Sequence, residues 1–233
     1  MKITPAIERT EDGSVTLRHP HTGETYHSSR GAVGESMHVF IRHGLEAAAR
    51  RFAGRLEAGS PLRIFEVGFG SGLNAWLTLD HARTHGLAVE YTAIELYPVD
   101  GSVAEMLGYT SDPLFTTLHT APWNLSVPVT DLFSLRKIEG DFASFTPGTP
   151  ADLVYFDAFA PDAQPELWSR ERFAALAEAM SPGGILVTYS AKGLVKQNLR
   201  DAGLEVRRLP GALGKRHMLR AEKPGATEPV RHP

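Results

Sequence analysis

Four acidic residues, Glu66, Glu95, Asp141 and Asp157, stand at or near the ends of short apolar runs, and the first leads straight into Gly68-Phe69-Gly70-Ser71-Gly72. Glycines in such a loop permit a tight turn and let a ligand approach the backbone closely. Carboxylates at strand ends can accept hydrogen bonds from ribose hydroxyls, an adenine amino group or a cationic amine. The loop reads G-x-G-x-G. The dinucleotide fingerprint needs a third glycine one place later, where this chain has Leu73. Taken alone, the loop is also compatible with a plain strand-to-helix turn.

Each acid has a role its position suggests. Glu95 closes the run Tyr91-Thr92-Ala93-Ile94 and suits a pair of ribose hydroxyls. Its alternative is an exposed strand-end acid. Glu66 suits a cationic amino group. Asp141, in Glu139-Gly140-Asp141-Phe142, falls where an adenine amino group would be held, or else caps a helix. Asp157 ends Leu153-Val154-Tyr155-Phe156 and precedes Ala158-Phe159-Ala160-Pro161, which puts a carboxylate and a ring beside the reacting centre. There it can orient an amine nucleophile and take or relay its proton. Such an amine titrates near 10.4, so only about one in a thousand is neutral at pH 7. An ionised Asp157 also holds the ammonium form, which opposes the reaction. The alternatives are that Asp157 only binds cofactor or caps the next helix. Tyr26, Phe159 and Tyr189 either stack on a base or belong to the core. Lys192 reaches a phosphate or faces solvent. His27, His38 and His43 lack metal-ligand spacing, so no metal is expected.

These residues need a scaffold of alternating strands and helices. Strands are expected over Ser14 to Arg18, Thr25 to Ser29, Leu62 to Val67, Leu87 to Glu95, Phe133 to Ile138, Asp152 to Phe156 and Ile185 to Tyr189. Helices are expected over Glu35 to Leu56, Leu73 to Arg83, Glu166 to Met180 and Leu194 to Ala202, with short ones between Tyr97 and Asn124. Ser181-Pro182-Gly183-Gly184 reads as the stop of the third. The alternation implies a parallel sheet covered on both faces. Two last strands, Leu204 to Leu209 and His217 to Ala221, have no helix between them and read as an antiparallel hairpin. That ending is typical of the class I methyltransferase sheet, Rossmann-like in outline, and points to S-adenosylmethionine as the ligand of the glycine loop. The expected organisation is a small N-terminal β extension and helix over residues 1–58 packed on the core, a methyltransferase domain over 59–222, and a flexible tail over 223–233.

The 233 residues are 42% hydrophobic and 22% charged, with net charge −3 and no cysteine. Disulfides and thiolate chemistry are thereby excluded. No apolar run approaches the ~20 residues of a membrane span, and a cytoplasmic location is expected. The slightly acidic balance lacks a broad electrostatic footprint for nucleic acid. An RNA substrate would need a local patch such as Arg42, Arg50 and Arg51, or Lys215-Arg216-His217. These clusters read equally as solvated faces.

Several motifs together resemble one family. They are Glu24-Thr25-Tyr26-His27-Ser28, Gly34-Glu35-Ser36-Met37-His38-Val39-Phe40-Ile41, the run Phe65 to Asn74, Asp157 to Pro161 with Pro165-Glu166-Leu167-Trp168, Pro182-Gly183-Gly184, and Gly214-Lys215-Arg216-His217-Met218-Leu219. The chain resembles the MnmD family, the methyltransferase half of bifunctional MnmC enzymes, over nearly its whole length. The resemblance implies N-methylation of 5-aminomethyl(-2-thio)uridine at the tRNA wobble position. It casts Gly68, Gly70, Glu95 and Asp141 as cofactor contacts, Asp157 as the group facing the substrate amine, and Lys215 and Arg216 as a tRNA-facing pair. Glu66, Gly72 and Asn74 are further expected cofactor contacts, and Tyr26 and Phe159 further expected substrate contacts. The flavin oxidase domain of bifunctional members has no counterpart in these 233 residues, so action on tRNA already bearing the aminomethyl group is expected. The acidic charge leaves room for a protein partner that supplies tRNA affinity. The rival reading is a small-molecule amine transferase, including the aminopropyltransferase kind. A polyamine pocket would need several acids near Asp157. Asp162 is nearby, but Ala158, Phe159 and Ala160 suggest a mostly apolar wall. A non-catalytic scaffold and an NAD-binding oxidoreductase are the further rivals, the latter disfavoured by Leu73 and the hairpin.

Overall fold

The computed structural model describes residues 5–20 and 23–225. Apolar runs with glycine stops form an eight-stranded sheet, ordered β5-β6-β4-β3-β7-β8-β10-β9. Its strands are Leu62–Val67 (β3), Val89–Glu95 (β4), Ser126–Thr130 (β5), Phe133–Glu139 (β6), Ala151–Phe156 (β7), Met180–Thr188 (β8), Glu205–Pro210 (β9) and His217–Glu222 (β10). β6, β4, β3, β7 and β8 are parallel, while β5, β10 and β9 pair antiparallel. The C-terminal hairpin is therefore present as expected. A separate two-stranded sheet joins Ala6–Arg9 (β1) and Val15–Arg18 (β2).

Helices cover both faces, so alternate residues of each strand enter different cores. Ile64, Tyr91, Leu153, Tyr155 and Val187 pack on one side. Phe65, Ile94, Val154, Phe156 and Leu186 pack on the other with Trp168, Phe173 and Leu199. On the first side a nearly unbroken helical stretch lies across the sheet. It comprises Ala32–Ser36 (α1), a π-helical segment Met37–Leu45, Glu46–Arg51 (α2) and Ala53–Glu57 (α3). The expected helix over Glu35 to Leu56 is present, but its middle is wound wide. Gly44 lets it sit close: a Cβ there would lie 2.9 Å from Val187 Cγ2. Leu73–His85 (α4), Val103–Leu107 (α5) and Pro113–Thr120 (α6) continue this layer. Arg170–Glu178 (α7) and Gly193–Asp201 (α8) lie on the other side.

Three expectations need correction. Thr25 to Ser29 is not a strand; only Thr25 bridges Arg18. Its backbone is satisfied elsewhere, with Tyr26 N donating to Leu17 O at 2.9 Å, His27 N to Thr16 Oγ1 at 3.1 Å and Ser28 N to Glu35 Oε2 at 3.1 Å. The helix expected over Glu166 to Met180 splits. Pro165–Trp168 is a 3-10 turn, and Ser169 then caps α7 through its hydroxyl, which accepts from Arg172 N. Ser181 to Gly184 lie inside β8, where the β7–β8 register slips between Ala151 and Leu153 and Gly183 takes φ +76°. β5 was not foreseen, being an edge strand with Pro128 and a bulge. Residues 226–233 of the expected tail lie outside the described residues.

At the amino end of β7, Asp152 is fully buried and bound by Arg55, by Arg63 at 3.2 Å and by Ser181 Oγ at 2.7 Å. Burial alone would raise its carboxyl. The hydrogen bonds from Arg55, Arg63 and Ser181 outweigh that and hold it below its ordinary value. This clamp anchors the end of β7 opposite to Asp157.

Candidate active site

A cavity of about 280 Å³ opens at the carboxyl ends of the parallel strands. Ligands of such sheets bind there. β3 contributes the glycine loop, β4 Glu95, the turn after β6 Asp141, and the turn after β7 Asp157 and Phe159. The loop is held by Gly68 N donating to Ile94 O at 2.9 Å and Gly72 N to Phe69 O at 2.8 Å. Gly68 and Gly70 have φ +91° and +51°, a region that favours glycine. A Cβ on Gly68 would meet Asp157 O at 2.9 Å, and one on Gly70 would meet the Tyr26 ring at 2.8 Å. Gly72 differs: it is outside the cavity lining, and a Cβ there would press on His119 at 2.9 Å. Its job is to start α4 tightly against that buried histidine.

Glu95 is fixed at both oxygens, accepting from Gly70 N at 3.0 Å and Tyr97 N at 2.8 Å. Burial raises its pKa, and these backbone donors oppose the rise. The side chain lines the cavity, and a carboxylate has lone pairs beyond those two donors. Asp141 lines the cavity too, and its Oδ1 accepts from Ala143 N at 2.8 Å. The segment after Asp141 is a turn and not a helix, so its carboxylate caps no helix there.

At the floor lies a carboxylate pair, Asp157 lining the cavity and Glu66 outside the lining. Asn74 Nδ2 donates to Glu66 Oε1 at 3.0 Å and to Asp157 Oδ2 at 2.8 Å. Glu66 is 1% exposed and does not line the cavity, so it acts on a ligand through Asn74 rather than by contact. Burial and then the Asp157 charge push Glu66 well above its ordinary value. Burial, then the charge of Glu35, push Asp157 up to about 7, against the Asn74 hydrogen bond and the Lys215 charge. Asn74 Oδ1 has no hydrogen-bond partner among the described residues.

Aromatic rings roof the cavity. Tyr26 meets Phe159 edge-on at 5.1 Å, and His19 lies 5.3 Å from Phe159 and 5.0 Å from Tyr97. Trp168 Nε1 donates to Phe159 O at 2.8 Å and fixes that wall. His27 spans Thr16 Oγ1 and Ser71 Oγ, each at 3.4 Å, and burial pushes it down to about 4, so it is neutral at pH 7. Sequence reasoning missed His19, Tyr97 and above all Glu35. The expected apolar wall is also corrected, since Glu24, Glu35 and Glu166 line it. Glu35 is matched by Lys215, whose ammonium pairs with it. Lys215 thus turns into the cavity mouth, whereas Arg216 is exposed and outside the lining. Lys192 pairs with Asp162, and Arg50 and Arg51 pair with Glu46 and Glu222 at 3.6 and 2.5 Å. Among the described residues no group of three or more His, Asp or Glu side chains is placed to hold a metal, and no helix is long and apolar enough to cross a membrane.

The site suits a nucleoside with cationic substituents. It has a ribose-type acceptor in Glu95, a backbone cradle at Gly68 and Gly70, an unpartnered amide oxygen in Asn74 and a surplus of carboxylates. With the sheet order, these features define the class: an S-adenosyl-L-methionine-dependent methyltransferase. A family model described in those words matches residues 117–224. The chain is 31% identical over 210 residues to the tRNA 5-methylaminomethyl-2-thiouridine biosynthesis bifunctional protein MnmC of Chromobacterium violaceum, covering 84% of this chain and 31% of that protein. It is 34% identical over 245 residues to the Paracidovorax citrulli protein of the same name, covering 97% of this chain and 36% of that one. It spans about a third of the length of these curated relatives. The crystal structure of MnmC2 from Aquifex aeolicus superposes with TM-score 0.74 at 28% identity, covering 98% of this chain and 73% of that one. By sequence the chain is similar to about a third of these MnmC proteins, and by fold to MnmC2. A spermidine synthase from Thermotoga maritima, TM-score 0.51 at 13% identity over 97% of this chain and 74% of that one, shares the fold alone.

Proposed function

We propose that this protein methylates the primary amine of 5-aminomethyl(-2-thio)uridine at the wobble position of tRNA, in the cytoplasm, giving 5-methylaminomethyl(-2-thio)uridine. The names of its MnmC relatives support the substrate. The observation that carries the chemistry is Asp157, a half-buried carboxyl lining the cavity, pushed to about 7 and held by Asn74. A base poised near the working pH is what proton removal from an ammonium needs.

S-adenosylmethionine bound here would supply an electrophilic methyl group. Glu95 would hold the ribose hydroxyls, Gly68 and Gly70 would bring the backbone against the ligand, and Asp141 would take the adenine amino group. Asn74 would offer Oδ1 to the amino-acid end, with the Glu66 carboxyl behind it. Tyr26 and Phe159 would keep water from the reacting centre. Asp157 orients the incoming ammonium and accepts one of its protons, which frees the nitrogen lone pair to act as nucleophile. That proton leaves Asp157 for solvent, so each turnover releases one proton. Arg216, exposed beside the mouth, faces the tRNA backbone.

Incubation with S-adenosylmethionine and tRNA bearing the aminomethyl nucleoside, then digestion and mass analysis, tests this reading. The aminomethyl nucleoside should gain one methyl group. Unchanged nucleosides would refute it.

A further inference from the structure

Glu35 lies in α1, is 6% exposed and lines the cavity. Its Oε2 accepts from Ser28 N at 3.1 Å, and its Oε1 binds Lys215 Nζ. Lys215 comes from the loop between β9 and β10. Its ammonium also lies 5.2 Å from the centre of the Tyr189 ring. Tyr189 is anchored by its hydroxyl, which donates to Ala158 O at 2.8 Å, one residue past Asp157. The charges of Glu35 and Lys215 both act on Asp157. A primary alkylammonium therefore already sits at the cavity mouth, between a carboxylate and an aromatic face, within electrostatic reach of Asp157. Asn74 is 3% exposed and adds an unpartnered oxygen on the same cavity wall.

These are the partners a primary ammonium needs. Carboxylates accept charge-assisted hydrogen bonds, and an aromatic face attracts the cation. We propose that Glu35, Tyr189 and Asp157 form the receptor for the substrate's ammonium group, and that Lys215 fills this receptor in the free protein and is displaced when substrate enters. The proposal rests on the amine-methylating reading above. It gives Glu35 a binding role distinct from proton removal: it holds the ammonium while Asp157 takes the proton. It also gives the site a charge filter. An arm that carries a carboxylate beside its nitrogen would face Glu35 and Asp157 and be repelled, whereas a plain aminomethyl arm is attracted.

The competing role for the Glu35–Lys215 pair is a staple that ties the N-terminal segment to the C-terminal hairpin. Two variants separate the roles, Glu35→Gln and Lys215→Met. Each is assayed for methyl transfer to tRNA bearing the aminomethyl nucleoside and for its S-adenosylmethionine dissociation constant. Glu35→Gln should raise KM for tRNA about tenfold or more, as loss of a charge-assisted acceptor does, with cofactor affinity intact. Lys215→Met should lower KM, because an internal competitor has gone. A staple predicts equal harm from both variants. A KM raised in both, or unchanged in Glu35→Gln, would overturn the proposal. Should Glu35→Gln fail to bind cofactor, Lys215→Met decides alone: a lower KM supports the receptor, and any other value contradicts it. Wild-type protein inactive on this tRNA would instead refute the functional reading.

Discussion

Replacing Asp157 by Asn should stabilise the protein at pH 8 while destroying turnover. In the fold, burial and then the Glu35 charge move this carboxyl from 3.8 to about 7. The unfolded chain keeps the ordinary value. Between the two values the folded state holds a proton that the unfolded chain has released, so stability falls as pH rises through that window. At about 1.4 kcal/mol per unit, Asp157 costs the fold on the order of 4 kcal/mol at pH 8, where it is ionised, and about 1.5 kcal/mol at pH 5, where the fold holds its proton. Asparagine escapes this cost, and its side-chain oxygen still accepts from Asn74 Nδ2. Urea unfolding of both proteins without cofactor, at pH 8 and pH 5, reads the difference. Asp157→Asn should gain several kcal/mol at pH 8 and clearly less at pH 5. Loss of the base should lower kcat by about 10²–10⁴. A variant no more stable than wild type at pH 8, or equally stabilised at both pH values, would refute the account of a strained, poised carboxyl.

Three further perturbations probe the rest of the site and its frame. Gly70→Ala forces a left-handed φ of +51° on alanine and pushes its methyl to 2.8 Å from the Tyr26 ring. Strain of about 1–2 kcal/mol plus the displaced roof should weaken cofactor binding about tenfold or more by calorimetry. Glu95→Ala should weaken it by a similar factor through lost ribose bonds, and an unchanged dissociation constant would remove Glu95 from the site. Asp152→Asn strips the partner of Arg55 and Arg63 and should cost about 3 kcal/mol in chemical unfolding. Cofactor affinity should be unaffected, because Asp152 lies at the far end of β7.

What was legible in the sequence was local. The run Leu62 to Val67 followed by three alternate glycines specifies a strand, a tight turn and a helix start within a dozen residues. Asp157 stood out because an apolar run ends on it. The hairpin could be read from two strands joined by Gly and Pro. The missed features come from chain segments that meet only in the fold. Lys215 and Glu35 are 180 residues apart, and no periodicity links them. His19 and Tyr97 belong to no motif in the sequence, and their rings meet at 5.0 Å only in the fold, where the Thr25 to Ser29 segment satisfies its backbone on Leu17, Thr16 and Glu35. Glu66 and Gly72 belong to a recognisable pattern, but which way each faces depends on Asn74 and His119 packing beside them. The π-helical winding of Met37–Leu45 has the same apolar spacing as an α-helix to a reader of sequence.

The central claim is that this cavity transfers methyl to an amine carried on tRNA. Labelled S-adenosylmethionine, offered with wild-type protein to tRNA blocked before the last methylation and to a panel of polyamines and small amines, tests it most directly. Label in 5-methylaminomethyluridine species and not in the free amines is the predicted result. Label confined to the small amines would keep the fold and the cofactor but contradict the tRNA substrate.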